Sequence, residues 1–126
     1  MNLSGFSRPV PFALDRQDVF NDFDIDEMCA VYLIIKDDEI VKIGESCNLK
    51  KRLSNYLNTN KSEEGPKRVT RRNFRTELRN NTASNYTVRW KKQANKNESE
   101  KAEQELLYEF KDENNGNLPI LNKINR

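Results

Sequence analysis

AVYLIIKDDEIVKIG, residues 30–44, contains two apolar runs separated by a charged turn. The runs AVYLII (30–35) and EIVKIG (39–44) are rich in β-branched residues and predict an antiparallel pair of strands. Tyr32 and Lys42 then lie near one end of a small sheet, close to the basic segment NLKKRLSNYL (48–57). This placement is compatible with a site that holds a phosphate group, and also with ordinary surface side chains.

The length of the turn decides whether Tyr32 and Lys42 share a face of the sheet. They do so only if the numbers of paired residues sum to an even value. That condition predicts a turn of three or five residues around Asp37. A two-residue turn, Asp37-Asp38, would point Lys42 to the opposite face unless a β-bulge intervened.

Composition narrows the class of protein. The chain has 126 residues, of which 33% are charged and 35% hydrophobic, and this predicts one soluble α+β domain. Neither a membrane span nor a signal peptide is evident, and two cysteines form no disulfide framework, so we expect two small, partly buried thiols in a reducing cytoplasm. Because histidine is absent, histidine bases and the usual zinc sites are excluded.

The remaining periodicity predicts three helices and one further strand. The helix over 48–58 presents Leu49, Leu53 and Leu57 to the sheet, and YTVRW (86–90) alternates as a strand. Pro66 begins a second helix over about 67–80, and a charged helix spans 98–112. The predicted fold is α+β: a small three-stranded antiparallel sheet flanked by helices. We divide it into an N-terminal arm (1–28) and a domain (29–126) with a basic helical insertion (59–83).

Positive charge is concentrated in the middle of the chain. Residues 59–96 contain eleven basic and three acidic residues, which suggests a polyanionic partner; a solvated basic loop is the alternative that the charge pattern leaves open. Helical spacing aligns Arg71, Arg75 and Arg79 on one ridge. We expect this ridge and its neighbours to contact DNA phosphates or enter the major groove, the full set being Arg68, Arg71, Arg72, Arg75, Arg79 and Arg89.

The start of the helix over 48–58 carries Lys50, Lys51 and Arg52. Cations at this end oppose the helix dipole, and each costs a few tenths of a kcal/mol. A phosphate held nearby would reverse the sign of that effect, because free N–H groups and cations would then converge on it. Arg52 and Tyr56 lie one turn apart on the same face; the alternative for Arg52 is a surface side chain.

One acidic residue of the 98–112 helix lies on the apolar side of the helix and not on its solvated side. Ala102, Leu106, Leu107 and Phe110 form the apolar arc of that helix, and Glu103 falls inside it. A carboxylate on that side must be paired or bind a cation. The sequence leaves two interpretations open: an ion pair with Arg52 or Lys42, or a ligand for Mg²⁺.

Taken in order, these motifs resemble the GIY-YIG nuclease family. Ala30-Val31-Tyr32 resembles the first family motif and Lys42-Ile43-Gly44 the second. Arg52 matches the arginine of the following helix, and Glu103 the acidic helix motif. Leu118-Pro119-Ile120-Leu121-Asn122 resembles the terminal motif. The resemblance covers about residues 29–124, with an insertion at roughly 59–83.

The resemblance implies hydrolysis of phosphodiester bonds in double-stranded DNA. Tyr32 would be the general base, although the free pKa of tyrosine, about 10, requires lowering by cations or a metal. Lys42 and Arg52 would stabilise the charged phosphate, and Glu103 would hold Mg²⁺ or, alternatively, Mn²⁺. Tyr56 would position Tyr32 or the phosphate, while Lys50 and Lys51 would bind DNA. Gly44 and Asn122 would be structural.

Two positions differ from the family pattern. Ala30 replaces a glycine, and Lys42 replaces the tyrosine of the second motif, as in restriction-enzyme and phage members of the family. We therefore expect a cytoplasmic DNA endonuclease of restriction or phage type. The alternative is a catalytically weak DNA-binding module with the same fold, and a protein-interaction domain is disfavoured. Cleavage of both strands with one site per chain would favour a homodimer.

Overall fold

The computed structural model describes residues 1–11, 28–57 and 85–122. The predicted helix over 67–80 and most of the predicted arm lie outside these ranges, as do five of the arginines expected to bind DNA: Arg68, Arg71, Arg72, Arg75 and Arg79. None of the described helices is both long and apolar enough to cross a membrane.

The described residues form an α+β fold with one four-stranded antiparallel sheet in the order β1-β4-β2-β3. Its elements are β1 (Val10–Pro11), β2 (Ala30–Lys36), β3 (Glu39–Ser46), α1 (Leu49–Leu57), β4 (Tyr86–Lys92) and α2 (Lys96–Glu113). The three strands predicted from alternation are present. The fourth, β1, was not predicted because two residues beside a proline give no periodic signal.

The β2–β3 hairpin differs from its prediction at the turn. Lys36 pairs with Glu39, so the turn contains only Asp37 and Asp38, whose φ angles are 47° and 71°. Positive φ at both positions matches the right-handed twist of the strands, and aspartate tolerates this conformation better than most residues. The Asp37 carboxylate also accepts a hydrogen bond of 3.0 Å from the Asn85 backbone N–H. The predicted turn of three or five residues is therefore wrong.

A β-bulge nevertheless brings Tyr32 and Lys42 to one face. Ile35 pairs with Ile40, but Ile34 pairs with Lys42, so Val41 is the additional residue on β3. The additional residue shifts the residue pairing by one. The β3 side chains beyond the bulge therefore lie on the face opposite to the one that a two-residue turn alone would give them. Tyr32 then stands directly opposite Gly44, and Lys42 lies two residues away on the same face.

The sheet buries side chains on both faces. One face packs Tyr32, Ile34, Val88 and Trp90 together with Leu49 and Leu53 of α1. The other packs Val31, Leu33 and Ile43 against α2 through the predicted apolar arc, Ala102, Leu106, Leu107 and Phe110. The side chain of Leu57 is outside the described set.

The two cysteines are joined, contrary to expectation. Cys29 and Cys47 form a disulfide. The register explains their proximity: beyond the bulge Ala30 pairs with Ser46, so the residues that precede and follow this pair face each other at the end of the hairpin. With the two sulfurs bonded, the cysteines no longer support a reducing compartment.

The first residues of the chain bind the α2 side of the sheet. Ser7 donates its N–H to the carbonyl of Trp90 at 2.7 Å, and the Arg89 Nε donates to the carbonyl of Ser7 at 2.8 Å. The N-terminal ammonium forms an ion pair of 2.7 Å with Glu113 at the end of α2. Residues 1–11 therefore contribute to the packed domain.

Candidate functional site

A cavity of about 290 Å³ opens at the edge of β3, with side chains of both helices in its walls. It brings together four of the five residues predicted to act in catalysis. The residues that line it are Tyr32, Lys42, Ile43, Gly44, Glu45, Arg52, Glu103, Leu107, Leu118 and Asn122. Tyr56, the fifth predicted residue, lies on α1 one turn after Arg52, and its side chain is outside the described set.

Tyr32 is positioned by the residue opposite it. Its side chain is completely buried in the core, and its ring lies across the backbone of Gly44. A Cβ atom at position 44 would come within 2.5 Å of both Cζ and Oη of Tyr32. Only glycine leaves room for the ring, so Gly44 fixes where the phenol stands at the cavity wall.

Lys42 is the most unusual side chain of the cavity. It lies on the edge strand, on the same face as Tyr32, and only 5% of its surface is exposed. Within the described ranges it forms neither a hydrogen bond nor an ion pair, although its charge acts on Glu103. An anion bound in the cavity would pair with this partly desolvated ammonium group.

Glu103 reaches the cavity from α2 and is partly buried, whereas Glu98, Glu105 and Glu109 of the same helix are exposed. Burial raises the pKa of its carboxyl group above the ordinary value of 4.5, and the negative charge of Glu45 raises it further. The positive charges of Lys42 and Arg52 act in the opposite direction. No described residue forms a hydrogen bond or ion pair with its carboxylate.

Arg52 reaches the cavity from the first turns of α1. Asn48 caps that helix, accepting a hydrogen bond of 3.2 Å from the N–H of Lys51. The first turn of α1 contains no acidic residue. The N-terminus of α1 and the guanidinium group of Arg52 therefore give this side of the cavity a positive potential, which favours binding of an anion. Lys50 and Lys51 lie on the same turn but do not line the cavity.

Comparisons with protein-family models, with curated proteins and with solved structures find no match to this chain.

Asn122 closes the edge of the sheet beside the cavity. Its side-chain oxygen accepts the N–H of Ile43, and its side-chain nitrogen donates to the carbonyl of Ile43, both at 2.9 Å. The N–H of Leu121 donates to the carbonyl of Val41 at 2.9 Å. The C-terminal segment thus satisfies backbone groups of β3 that an edge strand would otherwise leave open.

Sequence reasoning missed Glu45 as a cavity residue. Strand alternation places Glu45 on the side of Ile43, which packs against α2. The side chain therefore approaches Glu103 from the neighbouring element, and its charge acts on the Glu103 carboxylate. The alternation of β3 was readable from sequence, but the position of α2 over that face was not.

Arg89, predicted to bind DNA, is partly buried and uses its Nε to hold the N-terminal segment. It lies on β4, and it is not one of the residues that line the cavity. The described ranges contain no group of three or more histidine, cysteine or acidic residues suited to hold a metal.

Proposed function

We propose that the chain is a divalent-metal-dependent DNA endonuclease with a GIY-YIG-like site, of the restriction or phage type that carries lysine in the second motif. The observation that supports this most is Lys42, a 5% exposed side chain that has no hydrogen-bond or ion-pair partner among the described residues and lines a cavity with Tyr32, Arg52 and Glu103. A phosphodiester bound in the cavity would pair with the two cations that line it, Lys42 and Arg52.

Lys42 and Arg52 bind the scissile phosphate and stabilise the charge that builds on its oxygens in the transition state. The phenolate oxygen of Tyr32 takes a proton from water as the water oxygen forms a bond to phosphorus. The bond from phosphorus to the leaving sugar oxygen breaks, and that oxygen takes a proton from solvent.

Glu103 fits a hard divalent cation, because its partly buried carboxylate has no partner among the described residues. Such an ion, when bound, would act as a Lewis acid on the phosphate and the leaving oxygen. Glu103 would hold the ion by its carboxylate oxygens. Mg²⁺ and Mn²⁺ both prefer oxygen ligands of this kind.

Incubation of supercoiled plasmid and unmethylated phage DNA with Mg²⁺ or Mn²⁺ tests the proposal. We expect wild-type protein to nick or cut the DNA, and Tyr32→Phe to be slower by about 10²-fold or more, the usual contribution of a general base. Tyr108→Phe is the matched control, because Tyr108 is 75% exposed and does not line the cavity.

A second pair of variants separates the carboxylate from general effects of charge. Glu103→Gln is expected to abolish cleavage, whereas Glu105→Gln, an exposed position on the same helix, is expected to leave it unchanged. A gel shift without cleavage would favour the DNA-binding module that retains the fold. Absence of DNA binding at low salt would refute both proposals, since phosphate contacts are strongest there.

A further inference from the structure

Glu45 and Glu103 approach each other from different elements. Glu45 lies on β3, on the side that faces α2, and Glu103 lies on α2; both side chains line the same cavity. Neither carboxylate forms a hydrogen bond or ion pair with a described residue. Two carboxylates close enough to interact repel each other, and an arrangement of this kind is unfavourable without a cation.

A second observation independently indicates a ligand in this cavity. Lys42 is 5% exposed, lines the cavity and has no hydrogen-bond or ion-pair partner in the described ranges. The positive charge of Lys42 favours binding of an anion in the cavity. That anion would also lie close to the negative charges of Glu45 and Glu103. Like charges within a few Å in a partly desolvated site repel strongly. A divalent cation between the carboxylates and the anion removes both conflicts.

We propose that Glu45 is a second protein ligand of the divalent cation, so that Glu45 from β3 and Glu103 from α2 bind it together. This inference rests on the proposed function and extends it by one residue. Mg²⁺ commonly takes one or two carboxylates and keeps several waters, so two carboxylates leave positions for water and phosphate. Lys42 and Arg52 then bind the phosphate on its other side.

The test is a titration of the full chain with Mn²⁺ alone, without DNA, followed by the electron paramagnetic resonance of the free ion. We expect Glu45→Gln and Glu103→Gln each to weaken Mn²⁺ binding by at least about tenfold, the lower end of the range for groups that support a metal. Glu39→Gln is the matched control, because Glu39 is exposed on the same strand and outside the cavity. Its affinity should equal that of wild type.

Mn²⁺ binding to Glu45→Gln as tight as to wild type would overturn the inference, as would the absence of Mn²⁺ binding by wild type. Both glutamine variants remove a repulsion, so we expect them to fold, and urea unfolding checks this. If Glu45→Gln fails to fold, Glu45→Ala replaces it, and Mn²⁺ affinity equal to that of wild type in this variant overturns the inference.

The result is separable from the proposed function. DNA cleavage by wild type with unchanged Mn²⁺ affinity in Glu45→Gln would refute the second ligand alone. Mn²⁺ binding that needs both carboxylates, in a protein that cuts no DNA, would support the metal site and refute the nuclease. Cleavage together with weakened Mn²⁺ binding supports both.

Discussion

Gly44→Ala tests the contact that positions Tyr32. The new Cβ would lie 2.5 Å from the ring Cζ and Oη, and 3.4 Å is the lower limit of ordinary contact, so the ring must move by about 0.9 Å. Tyr32 is completely buried, and close-packed cores have no free space of that size. Overpacking of this kind costs about 1–3 kcal/mol, and we expect a value near the upper end.

A double-mutant cycle with Tyr32→Ala isolates this contact. Without the ring, alanine at position 44 meets no aromatic atom, and it should stabilise the strand by about 0.5–1 kcal/mol, because glycine is entropically unfavourable there. The effect of Gly44→Ala should therefore change sign between the two backgrounds. The coupling free energy should be about 3.5–4 kcal/mol, slightly above the usual range for residues in direct contact.

Urea unfolding of the four proteins, followed by circular dichroism, measures the cycle. A domain of this size has about 5–15 kcal/mol of stability, so the Gly44→Ala protein remains measurable. Displacement of the phenol should also slow DNA cleavage under the proposed function. Equal changes in both backgrounds, or a more stable Gly44→Ala protein with Tyr32 present, would refute the packing that we describe.

Three further predictions concern other parts of the structure. Cys47→Ser should lower the free energy of unfolding by about 3 kcal/mol, as for a loop closed over 18 residues; reductant should lower wild type equally, and no effect of either would contradict the bond. Asn122→Ala leaves the backbone groups of Ile43 unpaired and should cost about 1–3 kcal/mol in urea unfolding, with Asn117→Ala as the exposed control. The raised pKa of Glu103 means that the folded state binds its proton more tightly than the unfolded chain, so stability falls as pH rises from 4.5 through the folded pKa. Metal-free Glu103→Gln should therefore melt higher than wild type at neutral pH, and this difference should vanish in acid; a constant difference would contradict the shift.

Strong periodicity made most of the described fold predictable. β2 was evident from its run of β-favouring apolar residues, β4 from alternation, and α2 from its apolar arc. The hairpin was predicted with the wrong turn, because a bulge leaves no mark in the hydrophobic pattern. The two-residue turn alone would place Tyr32 and Lys42 on opposite faces, and the additional residue Val41 reverses this. The two side chains therefore share a face, as the prediction required, although the predicted turn length is wrong.

Residues of the candidate site could be predicted only where the pattern within a single helix or strand singled them out. Glu103 was conspicuous because it is an acidic residue within the apolar arc of a helix. Lys42 was conspicuous because it is a basic residue within the apolar run of a strand. Glu45 and the Cys29–Cys47 bond depend on how separate elements meet, and the sequence of each element alone contains no such information. DNA binding by the arginines of the 59–83 insertion stays a prediction.

The amide of Asn122 mimics a peptide group. It offers one donor and one acceptor to Ile43, as a neighbouring strand would, within the space of a single side chain. The sheet is thereby terminated at the point where another chain could dock by strand addition. Strand addition at this point would require another chain to displace Leu121 and Asn122, and removal of these two residues would expose the backbone groups of Val41 and Ile43 to such pairing.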